Sequence, residues 1–311
     1  MSWRAIPGDG KIYVQTGEGH YASVDFDGHT VEALSVKAVP GTTEMSIDDL
    51  HVIDISPDSR GGVLAPVVWE RKTGKSKAGI LKFDSRGSFS GLTWLDGDFF
   101  PTRVASFSST GNMLVAGYDD DGKIPLSIFD THGKLLIARI SADPASTDSL
   151  DSKAKQDEAA RDQATLEASQ IQLASGDDDA VYLFDPTKGR KILRVTPNGK
   201  TTEIILTKSD SQGSEENLLP MNFFASRGSL YLHEAILKSG EKAGQSGQPV
   251  TLQHFAISVY DRYTGELRES YRIYGDFAGT VAAASPREFY FLKSKDIGAG
   301  ALRFSLVRAA K

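Results

Sequence analysis

One short phrase recurs along the chain, and it restricts the fold more than any other feature. An apolar strand ends in an aromatic or branched residue, Asp follows, then a turn bearing Gly, then another strand. It reads Val24-Asp25-Phe26-Asp27-Gly28, then Leu81-Lys82-Phe83-Asp84-Ser85-Arg86-Gly87, then Ile128-Phe129-Asp130-Thr131-His132-Gly133. A variant is Val195-Thr196-Pro197-Asn198-Gly199, and the last copy is Val259-Tyr260-Asp261-Arg262-Tyr263-Thr264-Gly265. Asp or Asn ahead of Gly suits a tight hairpin, because Gly accepts positive φ and the Asx side chain can bond the turn's own backbone.

A second phrase precedes each copy: a strand, a polar turn, and another strand. Examples are His51–Ser56 before Val63–Trp69, Val104–Phe107 before Met113–Gly117, Met221–Ala225 before Ser229–His233, and Val281–Ala284 before Glu288–Leu292. Tyr290–Leu292 and Leu302–Val307 alternate as half-buried strands do. Joined, the phrases give four strands per unit, over residues 1–38, 50–95, 101–140, 169–207, 219–274 and 280–311. The expected fold is all-β: one β-propeller domain over residues 1–311, with about six four-stranded antiparallel blades. A β-sandwich and a parallel β-helix are the alternatives. The final unit stops after its third strand, which implies either that an additional N-terminal strand completes it or that it has three strands.

Two segments break the pattern. Residues 143–170 are polar and Ala-rich, with too few large apolar residues to bury a stripe, and are expected as a surface helix or mobile segment. Residues 238–249, rich in Gly, Ser and Lys, are expected as a flexible loop.

Composition narrows the function classes. With 35 Lys+Arg against 41 Asp+Glu, the chain lacks the basic footprint of a nucleic-acid binder. It has no cysteine, which excludes disulfides, thiolate nucleophiles and cysteine metal sites. No apolar run approaches the roughly 18 residues of a spanning helix, so membrane insertion is not expected. The start, Met1-Ser2-Trp3-Arg4, has no apolar signal core, so the protein is either cytosolic or exported with its leader removed.

The turn phrases, such as Ser56-Pro57-Asp58-Ser59-Arg60-Gly61 and Phe83-Asp84-Ser85-Arg86-Gly87, resemble those of six-bladed propellers of the NHL and TolB-like group. The resemblance implies a fold and a binding face. Lactonase and lyase members of that group bind a divalent metal through mouth carboxylates and Asn, and Asp49, Asp98, Asn222 and Asp276 could sit comparably. The group's opening Glu-Gly-Pro phrase is absent; Glu18-Gly19-His20 matches two of its letters.

Within each unit the first-to-second and third-to-fourth strand turns are short, whereas the remaining connections are long and lie on the opposite face. Long loops on a rigid scaffold concentrate function. Loops expected near the axis carry Asp48, Asp49, Asp96, Asp98 and Asp276; those expected further out carry Arg71, Lys72, Lys75 and Lys77. The candidate mouth residues are Asp49, His51, Asp98, Arg103, Asn222 and Asp276, each at or just ahead of the start of an inner strand. Three carboxylates, a guanidinium, an amide and an imidazole suit a polar ligand or a hard cation such as calcium. Asp119-Asp120-Asp121-Gly122 and Asp177-Asp178-Asp179 look calcium-like. Calcium loops, however, place ligands at alternate positions, so exposed turns are the expectation for both. No HExxH, P-loop or nucleophile-elbow phrase occurs.

The expected function is non-catalytic binding of a small polar ligand or a protein through the long-loop face. The alternative is a metal-assisted hydrolase or lyase using the mouth carboxylates. Because residues 143–170 and 238–249 offer little apolar area to bury, excising either and closing with a short Gly/Ser linker should leave the melting temperature nearly unchanged. A loss of several kcal/mol would show that a core element had been removed.

Overall fold

A computed structural model describes residues 5–7, 11–17, 20–27, 30–35, 50–70, 76–97, 99–119, 126–138, 140, 170–207, 218–237, 252–273, 280–285, 287–296 and 302–311. The described strands form antiparallel sheets, one for each repeating unit. The first comprises β1 (Ala5–Pro7), β2 (Lys11–Gly17), β3 (His20–Asp25) and β4 (Thr30–Ser35). The second comprises β5 (Leu50–Val52), β6 (Ser56–Pro57), β7 (Val63–Trp69), β8 (Lys77–Phe83) and β9 (Phe89–Trp94). In it β5 and β6 both pair with β7 as one interrupted strand. The third holds β10 (Phe99–Ser106), β11 (Met113–Asp119), β12 (Leu126–Phe129) and β13 (Leu135–Ile137). The fourth holds β14 (Gln172–Ser175), β15 (Val181–Phe184), β16 (Lys191–Val195) and β17 (Thr201–Ile205). The fifth holds β18 (Leu218–Ser226), β19 (Ser229–Leu237), β20 (Leu252–Asp261) and β21 (Leu267–Ile273). The sixth holds β22 (Thr280–Ala284), β23 (Glu288–Asp296) and β24 (Leu302–Ala310).

Within each sheet the strands pair in chain order. The Asx-Gly phrases all fall between the third and fourth strands, so Phe83, Phe129 and Tyr260 occupy equivalent strands β8, β12 and β20. The side chains do what the turn chemistry requires. Asp84 Oδ1 accepts from the amides of Arg86 and Ser88, Asp130 Oδ1 from His132 and Lys134, and Asp261 Oδ1 from Tyr263 and Thr264. Gly133 and Gly265 have φ of 87° and 73°. Each also abuts the end of the preceding sheet's last strand. A Cβ on Gly133 would land on the Trp94 carbonyl oxygen, and one on Gly265 on that of Ile205.

Each apolar cluster sits between two consecutive sheets. Met113, Val115 and Phe129 pack toward Leu64 and Ile80 of the second sheet, whereas Leu114, Ala116 and Ile128 pack toward Val181 and Val195 of the fourth. The same division holds in β19, where Leu230 and Leu232 join the fourth sheet and Tyr231 joins the sixth. Tyr290 and Leu292 meet Ile12 and Val14 of the first sheet, while Phe289 and Phe291 face the fifth. The half-buried reading of Tyr290–Leu292 is therefore corrected: both faces are covered, because each sheet has a neighbour on either side. Burial of a side chain such as Leu81 or Phe107, fully buried here, contributes about 1.5–3 kcal/mol.

The packing is cyclic. Contacts run from β1 to β6, β6 to β10, β10 to β14, β14 to β18, β18 to β22, and back from β22 to β1. The chain is therefore a β-propeller, with the first strand of each sheet at its axis. The described part of the last sheet has three strands. Residues 143–169 and 238–249, the expected insertions apart from Gln170, lie outside the described residues.

One interface between sheets is charged. Arg190, ahead of β16, directs Nη1 to Glu234 Oε1 of β19 at 2.6 Å and Nη2 to the Tyr260 hydroxyl of β20; all three residues are buried. Burial pushes the Glu234 carboxyl up, and Arg190 opposes that shift. Removing one member of a buried pair strands the other charge. Glu234→Ala should therefore lose about 3–5 kcal/mol in urea unfolding. The double variant Glu234→Leu/Arg190→Met should recover most of that loss.

Candidate functional site

The inner strands do not run straight. The register of β10 against β11 shifts between Pro101 and Arg103, that of β18 against β19 between Pro220 and Asn222, and that of β22 against β23 between Val281 and Ala283. Between β5 and β6 the ladder breaks at Asp54 and Ile55. Proline has no amide to give a ladder, so Pro101 and Pro220 suit a strand that bulges at this point. A bulge re-aims the side chain that follows it. In β10 and β18 that side chain is Arg103 and Asn222, and both line one axial cavity of about 530 Å³.

The remaining wall comes from the second half of each inner strand. Ile55-Ser56, Ala105, Ala174-Ser175, Ala225-Ser226 and Ala284-Ser285 contribute, with Phe26 from the first sheet. A small or branched residue followed by Ser closes five of the inner strands: Ile55-Ser56, Ala105-Ser106, Ala174-Ser175, Ala225-Ser226 and Ala284-Ser285. That recurrence, together with Pro-x-polar at Pro101-Thr102-Arg103 and Pro220-Met221-Asn222, was the sequence signal for the lining. The cavity lies toward the short turns that follow the inner strands, since Asp58, Ser59, Asp177 and Arg227 of those turns also line it.

The polar groups of the wall tie neighbouring sheets together. Arg103 Nε lies 3.3 Å from Asp54 Oδ2, and its Nη1 donates to the Thr102 carbonyl at 2.7 Å. Asn222 Nδ2 donates to the Val281 carbonyl at 2.9 Å. The Phe223 amide, beside a bulge, donates to Gln172 Oε1 of the fourth sheet at 2.7 Å. Ser106 Oγ donates to Asp58 Oδ1 at 2.8 Å, and Ser175 Oγ donates to the Ser106 carbonyl at 2.9 Å.

The consecutive carboxylates Asp177, Asp178 and Asp179 have different closest partners, as expected of a turn rather than a calcium loop, but the expected exposure fails at Asp178, whose side chain is 9% exposed. Asp177 pairs with Arg262 of the fifth sheet. Asp178 Oδ2 accepts from Arg194 at 2.9 Å and from the Tyr182 hydroxyl at 3.0 Å. Asp179 accepts from the Ser109 amide at 2.8 Å and the Ser108 hydroxyl at 3.0 Å, both of the third sheet. Burial opposes ionisation of Asp179, yet the Ser109 and Ser108 hydrogen bonds hold its carboxyl below the usual range. Asp120, Asp121 and Gly122 of the other triple lie outside the described residues.

Of the six candidate mouth residues, the structure brings Arg103 and Asn222 together in one lining. His51 is exposed, 3.8 Å from Glu70 Oε2, and is not part of that lining. Asp49, Asp98 and Asp276 lie outside the described residues. Asp96, placed near the axis by the sequence, instead sits against the outer turn of the third sheet. Its amide donates to the Gly133 carbonyl, and its carboxylate accepts from the Leu135 amide. Among the described residues no group of three His, Asp or Glu side chains could hold a metal ion, and no helix is long and apolar enough to cross a membrane.

No family model matches the sequence, and no curated protein matches it. Among solved structures, a europium-containing methanol dehydrogenase is 10% identical over 93% of this chain and 64% of that chain, with a TM-score of 0.40. This chain thus spans less than two thirds of that enzyme's chain. BBS1N in complex with ARL6DN is 12% identical over 96% of this chain and 71% of that one, with a TM-score of 0.39. A subtype N11 neuraminidase-like protein of A/flat-faced bat/Peru/033/2010 (H18N11) is 13% identical over 82% and 69%, with a TM-score of 0.38. The propeller is defined by the cyclic packing of the chain's own sheets, independently of these likenesses.

One titratable group beside the site is unsatisfied. His233 is 1% exposed, stands opposite Asn222 in the β18–β19 register, and neither ring nitrogen has a hydrogen-bond partner among the described residues. Burial pushes its pKa down from 6.5 to about 4. As pH falls below 6.5 the unfolded chain takes up a proton that the folded chain refuses, so stability drops between about pH 6.5 and 4. The loss by pH 4 should be about 3 kcal/mol. Urea melts across that range should show the decline in the wild type and a flatter profile in His233→Leu.

Proposed function

We propose that the protein is a six-bladed propeller of the NHL or TolB-like kind that binds a small polar ligand without catalysis. The observation that carries this reading is the axial cavity. It is large enough for a compact ligand, and alanines and polar residues from several sheets line it together. Such a mixture of apolar wall and a few fixed polar groups is characteristic of small-molecule sites.

The sequence pointed to the long-loop face; the described cavity residues favour entry from the short-turn end. Arg103 and Asn222 act here first as ties between sheets, which gives the wall a fixed shape and keeps the cavity open without a ligand. The lactonase-like alternative would hold a divalent cation such as calcium through Asp49, Asp98 and Asp276, which lie outside the described residues, together with Asn222. Asn222 would have to offer its Oδ1, which accepts from the Phe223 amide at 3.0 Å.

Thermal-shift screening of the whole chain against sugars, polyols, amino acids and dicarboxylates should yield a compound that raises Tm. A ligand at 100 times its Kd adds about 2.7 kcal/mol. Ala284→Leu narrows the cavity and should abolish that shift while leaving the circular dichroism spectrum unchanged. The reading fails if no compound raises Tm, or if Ala284→Leu responds as the wild type does.

A further inference from the structure

The geometry points to Arg227 as the group that receives the acidic end of a small anionic ligand, carboxylate or phosphate, entering the axial cavity from the short-turn end. This deepens the binding role proposed above and rests on it. Four charged residues line the cavity: Asp58, Asp177, Arg103 and Arg227. Three are answered by an opposite charge: Asp58 by Arg60 at 3.9 Å, Asp177 by Arg262, and Arg103 by Asp54 at 3.3 Å. Among the described residues Arg227 has neither a hydrogen bond nor an ion pair, and it is exposed. The charges of the lining and their partners therefore balance except for this one guanidinium.

The backbone gives a second, independent reason. Ser226 pairs with Ser229, leaving Arg227 and Gly228 as the two central residues of the β18–β19 hairpin, with φ of 47° and 77°. A two-residue turn with positive φ at both positions favours Asn-Gly. Arginine is uncommon in that conformation. The only other non-glycine residue at positive φ among the described residues is Asp179, a residue type tolerated there, and its carboxylate binds Ser108 and Ser109. Among the described residues Arg227 gains no hydrogen bond or ion pair in return for this unfavourable conformation, only a longer-range electrostatic effect on Tyr231. A residue held in such a conformation motivates a functional hypothesis. Ser226 and Ser285 belong to the same lining, the Ser285 hydroxyl being engaged with the Arg287 and Glu288 backbone of its own turn.

The two arguments make opposite demands on one substitution. Arg227→Asn supplies the residue the turn prefers and removes the charge. Melting of the full chain is followed with rising inorganic phosphate, citrate or myo-inositol, at ionic strength held constant with sodium chloride. Phosphate or citrate should raise the wild-type Tm. In Arg227→Asn the basal Tm should be equal or higher, while the apparent anion affinity falls about 10- to 100-fold, as expected on losing a charge-assisted hydrogen bond. Arg227→Lys should retain part of the response. A response to phosphate alone identifies a phosphate-bearing ligand, and one to citrate alone a carboxylate. Equal anion responses in wild type and Arg227→Asn overturn the inference, as does the absence of any anion response. Stabilisation of both proteins by myo-inositol alone overturns it too, while leaving the binding role of the cavity intact.

Discussion

Everything in this molecule depends on each sheet being buried on both faces by a different neighbour. Successive side chains of a strand point to opposite sides. In β11 this sends Leu114 and Ala116 to one interface and Met113 and Val115 to the other. No sheet can satisfy both faces alone, and the ring closes when the sixth sheet meets the first through Tyr290, Leu292, Ile12 and Val14. Slipping one strand by a residue would exchange its two interfaces at once, so register is fixed twice over.

The axial cavity follows from that ring. Inner strands that converge on an axis need small residues where they come closest, and alanines and serines fill those positions. Bulges let the strands bend around the axis, and the freed backbone groups are taken up by neighbouring sheets: the Val281 carbonyl by Asn222, and the Phe223 amide by Gln172. The site therefore arises from the same hydrogen bonds that hold the ring together.

The fold was legible because its signal is local. Asx-Gly turns declare themselves within five residues, and Asp84, Asp130 and Asp261 bond their own turns as that chemistry dictates. The candidate site was legible in part. Arg103 and Asn222 were found from their place near inner-strand starts, while the reason for their direction, a bulge after proline, was not read. Asp96 was misplaced because a strand's chain order does not reveal how far its end swings toward the next sheet. Arg227 went unremarked because an arginine in a turn looks like ordinary solvated charge until its φ, and its lack of an ion pair among the described residues, are known. The Arg190–Glu234–Tyr260 interaction joins residues 44 and 70 positions apart, and no local pattern announces it.

The glycines of the third-to-fourth strand turns have a wider consequence. At Gly133 and Gly265 the backbone of one sheet rests against the backbone of the one before. Between the second and third sheets and between the fourth and fifth, the spacing is thus held by main chain touching main chain, which no exchange of side chains can alter. Core residues between the sheets are free to trade size with one another as long as that gauge is kept. A ring can in this way preserve its geometry while its units diverge until only turn chemistry and polarity pattern still relate them, which is the state in which these repeats are found.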